Sequence, residues 1–333
     1  MLVYGGDPAR LAMPDPVLSP ELLSFVAAAY ALRVDRAVKL GGSFNLNVLL
    51  DGHVLRVYGP WVSAPRLAAI QGLRRALRGR GLPVPAPRPS TDGAPYERFG
   101  ECVLEVERYV PGEPMDSRAR LRAGMGHLAR LHALMADLPL DVPPPIANHL
   151  PQDLAEAATA DAMDRLRAWG PTPQEEHLAR AAEALARALP RIELPSQPVH
   201  GDFWHNNVRW RGDRMVAVLD FDFAGIRPRI DDLALPLTYA LGELGPERRI
   251  EDVRELLEAY AAACSPPLAR DERRALPHAM ARMALSFLQY LTIPCDDERK
   301  AGLRQEFADR RGPACLWWWR AIRGGMVRED SFL

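Results

Sequence analysis

The chain has 333 residues, 48% of them hydrophobic and 26% charged, with 42 basic against 43 acidic side chains and a formal net charge of −1. That is enough apolar material for a large core divided between two lobes or domains, and the charge balance offers no global field for a nucleic acid or an anionic membrane. The four cysteines, Cys102, Cys264, Cys295 and Cys315, form no C-x-x-C pair, which excludes a zinc module or a disulfide scaffold and fits a reducing, cytoplasmic setting.

The opening stretch, MLVYGGDPARLAMPD, is broken by glycine, aspartate and proline before an apolar segment builds up, so no secretory signal is expected. No run reaches the roughly 18 apolar residues of a membrane span. Residues 20–33, PELLSFVAAAYALR, place apolar side chains at helical spacing behind a Ser-Pro start and predict a helix. The period then changes to two. Runs 45–50 and 53–58 flank Asp51-Gly52, which predicts a hairpin, and Gly41-Gly42-Ser43 predicts a glycine turn after an earlier strand. A helix from about Ala64 to Arg80 follows and stops at GLPVPAP, where glycine and three prolines forbid continuation. Residues 101–110, ECVLEVERYV, predict a strand closing this first sheet. PGEP at 111–114 is a sharp break, and the boundary between two units, 1–110 and 111–333, is drawn there.

From Ser117 the pattern is helical, through RAGMGHLARLHALM, LAEAATADAMDRLRAW and EEHLARAAEALARAL. Two short runs interrupt it, PVH at 198–200 and MVAVLDFDF at 215–223. They bracket HGDFWHNN at 200–207 and the polar turn RGD at 211–213, and are expected to form a hairpin-like pair with acids at both ends.

Such a unit brings Asp202, Asn207 and Asp220 together. Phosphoryl transfer from a nucleotide to a hydroxyl needs a carboxylate that orients the attacking oxygen and accepts its proton, and oxygen ligands that hold magnesium on the phosphates. Asp202 suits the first task, Asn207 and Asp220 the second. The same octet leaves a second reading open, because His200-x-Asp202-x-x-His205 is a spacing usable by a metallohydrolase. Such sites draw further histidines from other segments, and the remaining six are scattered singly.

At these residues the sequence is similar to the aminoglycoside phosphotransferase and choline kinase family, the small-molecule branch of the protein-kinase-like fold. The family's H-G-D-x-x-x-x-N reads His200-Gly201-Asp202 followed at the proper distance by Asn207; its metal-binding strand end reads Leu219-Asp220-Phe221-Asp222; its D-L-A reads Asp232-Leu233-Ala234. The resemblance runs back through VPGEP, GHLARLH and the glycine turn, covering about residues 37 to 240. It implies an α+β, bilobal fold with a small β-rich N-terminal lobe and a larger, mainly helical C-terminal lobe. It implies magnesium-dependent transfer of the γ-phosphoryl group of ATP or GTP to a hydroxyl of an antibiotic, sugar or amino alcohol.

On this resemblance Asp202 is the catalytic base, Asn207 and Asp220 hold the metal, and His200 braces the loop. Asp222 either touches a second magnesium or faces solvent. Backbone amides of Gly42 and Ser43 lie over the phosphates, and the backbone from Glu107 to Tyr109 binds the base. Arg56 stands where the family has a phosphate-pairing lysine, to which it is not equivalent. The acid expected on the following helix is missing, and Gln71, close to its place, is expected to hydrogen-bond the guanidinium. These two departures motivate an alternative, a non-catalytic nucleotide-binding protein of the same fold. Asp232 reads as a helix N-cap. Trp317, Trp318 and Trp319 point to different faces of one helix, so at most one or two are core; a helix packed between the lobe and the terminus is the favoured account of the third, and stacking on a sugar ring or an ammonium group the other.

Overall fold

The computed structural model describes residues 16–41, 45–59, 62–140, 155–190, 192–242, 250–292, 295–328 and 331. The first helix, α1 (Pro20–Tyr30), is capped by Ser19, whose hydroxyl accepts from the Leu22 N–H at 3.2 Å. It ends before residue 33 because Ala31 turns left-handed, at φ 49°. The N-terminal sheet follows in strands β1 (Val38–Lys39), β2 (Leu46–Leu50) and β3 (His53–Val57), then helix α2 (Ala64–Gly79), then β4 (Pro87–Arg88), β5 (Glu97–Phe99) and β6 (Cys102–Arg108). The strands run antiparallel in the order β1-β2-β3-β6-β4, with β5 also on β6. Between β2 and β3, Asp51 and Gly52 both take positive φ, 45° and 76°, the twist that suits a two-residue hairpin.

Period-two alternation gives this sheet two different buried faces. Leu55, Val57, Leu104 and Val106 pack with Val48 and Leu50 beneath the stripe Leu22, Val26 and Tyr30 of α1. On the other face the register sets Arg56 opposite Glu105 and Val54 opposite Glu107, and α2 covers them. Gln71 does not reach Arg56 as expected. It donates to Glu105 Oε2 at 2.7 Å and to the Pro95 carbonyl at 2.9 Å. One turn further on, Arg74 pairs with Glu105 Oε1 at 2.6 Å and with Glu107, and the Tyr58 hydroxyl adds a bond to Glu105 at 2.8 Å. The helix thus supplies the cation and the sheet the acids. Ile70, Leu73 and Leu77 of α2 join the core of the helical region, so this helix belongs to both.

The remainder is mostly helical: α3 (Arg118–Ala136), α4 (Ala155–Ala168), α5 (Pro173–Ala188), strands β7 (Gln197–Val199), β8 (Val208–Arg211), β9 (Arg214–Val218) and β10 (Gly225–Arg227), then α6 (Arg229–Gly242), α7 (Ile250–Ala263), α8 (Arg270–Ser286), α9 (Asp297–Glu306) and α10 (Gly312–Arg323). The expected hairpin has different partners. Strand β9 pairs with β8, whereas the 198–200 run lies in and beside β7, which pairs with β10. The acids still meet, because the loop before β8 and the loop after β9 lie at the same end of that hairpin. Glu113 forms an isolated bridge with Trp210 of β8, and the Val218 N–H of β9 donates to the Pro83 carbonyl at 2.9 Å, so segments at both ends of the sheet dock on it.

In α10 Trp318 is buried, Trp317 and Trp319 pack half-buried on the same core, and Trp319 lies 5.1 Å from the guanidinium of Arg323 on its own helix. The expected leftover ring is therefore used within the fold. Among the described residues no helix is long and apolar enough to cross a membrane.

Candidate active site

The loop between β7 and β8 is held from three sides. His200, fully buried, presents Nδ1 to the N–H of Asp202 at 3.2 Å and Nε2 to the Leu219 carbonyl at 2.9 Å. Those roles require a neutral ring with its proton on Nε2, and burial lowers its pKa accordingly. One imidazole thereby fixes both the residue carrying Asp202 and the residue before Asp220. Gly201 sits at φ 81° with its α-carbon against the Phe223 carbonyl, where any β-carbon would collide. Asp232 is not a helix cap. It lies inside the first turn of α6, and its carboxylate accepts from the N–H of His200 at 2.8 Å, of Gly201 at 3.1 Å, and faces His132 Nε2 at 3.1 Å.

Asn207 closes the loop on itself. Its Nδ2 donates to Asp202 Oδ2 at 2.7 Å and to the Asp202 carbonyl at 2.9 Å. Asp220 lies two residues past the end of β9 at φ 59°, a left-handed conformation that is uncommon outside glycine and concentrates at functional sites. Arg56 reaches across from β3, with Nη2 3.2 Å from Asp220 Oδ1 and 2.9 Å from Asp222 Oδ2. Burial opposes its charge, but Asp222, Tyr58 and Asp220 overcompensate and hold its pKa above the ordinary value. The reciprocal effect is unequal. Asp220 stays below the usual carboxylate range because Arg56 outweighs burial, whereas burial and the Asp220 charge push Asp222 up to about 7. Asp202 is raised well above its ordinary value, first by burial and then by the facing Asp220.

The predicted constellation of Asp202, Asn207 and Asp220 is thus brought together, with His200 behind it and Arg56 in front. Asp222 does not face solvent; it is engaged by Arg56 and by Asn45, whose Nδ2 lies 2.6 Å from Oδ2. Gly42 and Ser43 lie outside the described residues. Glu107 points under α2 to Arg74, and the Tyr109 N–H is taken by the Gly52 carbonyl at 3.0 Å. His205 stacks on Tyr239 at 4.5 Å with Trp204 against its edge. Both nitrogens of His200 are occupied, which closes it to a metal and removes the basis of the hydrolase reading. Asn207 and Asp220 offer an amide and a carboxylate oxygen, a donor set that suits magnesium.

Three residues near the site had no signal in the sequence: Asn45, Arg66 and Arg227. Arg66 of α2 donates to the carbonyls of Asp222 and, at 3.2 Å, Ala224; Arg227 of β10 donates to the Phe223 carbonyl at 2.7 Å. Backbone carbonyls as partners leave no trace in side-chain spacing.

A family model described as "Phosphotransferase enzyme family" matches residues 38–278. Homoserine kinase of Bradyrhizobium sp. (strain ORS 278) is 28% identical over 281 residues, spanning 82% of this chain and 82% of that protein. Homoserine kinase of Rhodospirillum rubrum is 29% identical over 253 residues, spanning 74% and 76%. A microcompartment-associated aminopropanol kinase superposes with a TM-score of 0.70 at 15% identity, over 94% of this chain and 100% of that one. Amicoumacin kinase, solved with AMP-PNP, Ca2+ and Ami, gives 0.67 at 14%, over 91% and 95%. Such structural likenesses establish the protein-kinase-like fold, and with the family match running from the N-terminal sheet into α8 the chain belongs to the phosphotransferase enzyme family and is a small-molecule kinase.

Proposed function

We propose that the enzyme transfers the γ-phosphoryl group of ATP or GTP to the hydroxyl of a small hydroxy-amino acid of the homoserine type. The observation that carries this reading is the Asn207 bond to Asp202 Oδ2 at 2.7 Å beside the ion-paired Asp220. With Oδ2 engaged, Asp202 Oδ1 is the atom that takes the acceptor's proton. Asn207 and Asp220 would hold magnesium, which when bound neutralises the phosphate oxygens. Arg56 releases Asp220 and turns to the α- and β-phosphates. The backbone of the segment Glu107 to Tyr109 contacts the base. The free thiols Cys102, Cys264, Cys295 and Cys315 suit the cytoplasm.

The homoserine kinases among the relatives favour a hydroxy-amino acid over an antibiotic. Comparing kcat/KM for L-homoserine, 1-amino-2-propanol and an aminoglycoside, each with ATP and GTP, tests this. L-homoserine is expected to lead, with activity that needs magnesium or manganese and survives a zinc-selective chelator. A tenfold preference for either other acceptor would overturn the assignment of the acceptor. Replacing Arg56 with alanine removes a charge-assisted contact of roughly 1.5 to 3 kcal/mol. ATP is then expected to bind about ten- to a hundredfold more weakly, and adenosine, which lacks phosphates, equally well. Titration of both ligands into both proteins measures it.

A further inference from the structure

In this lobe arrangement the helix that should supply an acid to the strand cation supplies Gln71 and Arg74, both committed to Glu105 and its neighbours. Something else must tell the metal-binding loop where α2 and the sheet are. Arg66 occupies the first turn of α2, where its own N–H donates to the Ser63 cap at 3.3 Å. An arginine there is opposed twice: the positive end of the helix dipole disfavours a cation, and burial to 5% exposure brings its pKa down to about 10. A residue that violates local preference at such a place is the mark of a functional demand. Its guanidinium spends two contacts on backbone carbonyls, those of Asp222 and Ala224. Asn45 directly precedes β2 and holds the carboxylate of the same Asp222 at 2.6 Å, from 177 positions away in sequence.

We propose that Arg66 and Asn45 are positioning residues that couple α2 and the start of β2 to the loop after β9 through Asp222, a task that the Arg74 ion pairs with β6 leave undone. Asp222 on this account is the tether between the lobes and not a second metal ligand. Its side chain is taken by Asn45 and Arg56 and its carbonyl by Arg66, so that Asp220 two residues earlier presents its carboxylate at a fixed height over the loop. This rests on the assignment of Asp220 as a metal ligand under Proposed function.

Calorimetric titrations of adenosine, ATP alone and ATP with magnesium into wild type, Asn45→Ala, Arg66→Gln and the double variant separate positioning from mere folding. The gain in ATP affinity on adding magnesium is expected to fall at least tenfold in each single variant, with adenosine affinity unchanged. The double variant should lose little more than either single one, because both act through one tether. Should Arg66→Gln fail to fold, Asn45→Ala decides alone, since Asn45 is only half-buried. A magnesium gain kept within threefold of wild type in Asn45→Ala, or fully additive losses, would overturn the proposal. No magnesium effect in wild type would instead fail the metal assignment, and this inference with it, whereas failure to phosphorylate L-homoserine would leave the binding result standing.

Discussion

Replacing Asp202 with asparagine is expected to lower turnover about 100- to 10,000-fold, the range spanned by removal of a general base. The substitution keeps the size of the side chain and an oxygen for the Asn207 amide, which donates to Oδ2 at 2.7 Å, so the loop keeps its geometry. What disappears is the proton acceptor. The loop is fixed independently of that carboxylate by His200, Gly201 and Asp232, and nucleotide affinity should therefore change little. Burial and the facing Asp220 raise the pKa of Asp202 in the nucleotide-free state, which makes it a stronger base than a surface aspartate once ionised. Single-turnover rates with saturating ATP and L-homoserine, alongside ATP titration, give the two quantities. Turnover within about threefold of wild type would remove Asp202 from this role.

The largest stability effect is expected at Arg74, far from any reacting atom. Arg74 is 4% exposed, and its guanidinium lies between Glu105 and Glu107, of which Glu105 is fully buried. Arg74→Leu takes from Glu105 and Glu107 the cation that contacts them both and leaves only the longer-range charge of Arg56, and removing one partner of a buried ion pair costs about 3 to 5 kcal/mol. Chemical denaturation should register that loss. The triple replacement Arg74→Leu, Glu105→Gln and Glu107→Gln should recover much of it, because no charge then remains unpaired. A loss under 1 kcal/mol in the single variant would mean that the buried acids are neutral and that the network is not ionic.

How much of this was readable in sequence depends on how far apart the partners lie. The meeting of Asp202, Asn207 and Asp220 was legible because the octet at 200–207 and the Asp220 strand end flank one short hairpin, whose closure brings their side chains to the same end. The β2–β3 hairpin was legible because Asp51-Gly52 encodes its own turn. Pairing of β7 with β10 was not, since nothing local to Pro198 specifies a partner at Ile226. Strand β6 shows the deeper limit: Glu105 and Glu107 alternate with Leu104 and Val106, a pattern that reads as one apolar and one solvated face. The structure buries both faces, and Arg74, with Gln71 and Tyr58 on Glu105, explains why the second tolerates it. Helix position alone allows Gln71 a bond to Arg56, whereas its amide reaches the Glu105 carboxylate. The chain beyond residue 245 carried no motif, because its helices α7 to α10 are spaced by packing and not by chemistry.

The account stands or falls on transfer to a hydroxyl. Phosphorus NMR of the wild-type enzyme with ATP, magnesium and L-homoserine follows every phosphorus atom at once. The γ-phosphate resonance should be replaced one for one by a phosphomonoester, with ADP accumulating at the same rate and inorganic phosphate remaining a minor product. ATP left intact, with no phosphomonoester formed on L-homoserine or on any of a panel of small hydroxyl compounds, would contradict the assignment of Asp202, Asn207 and Asp220 as a working phosphotransfer site.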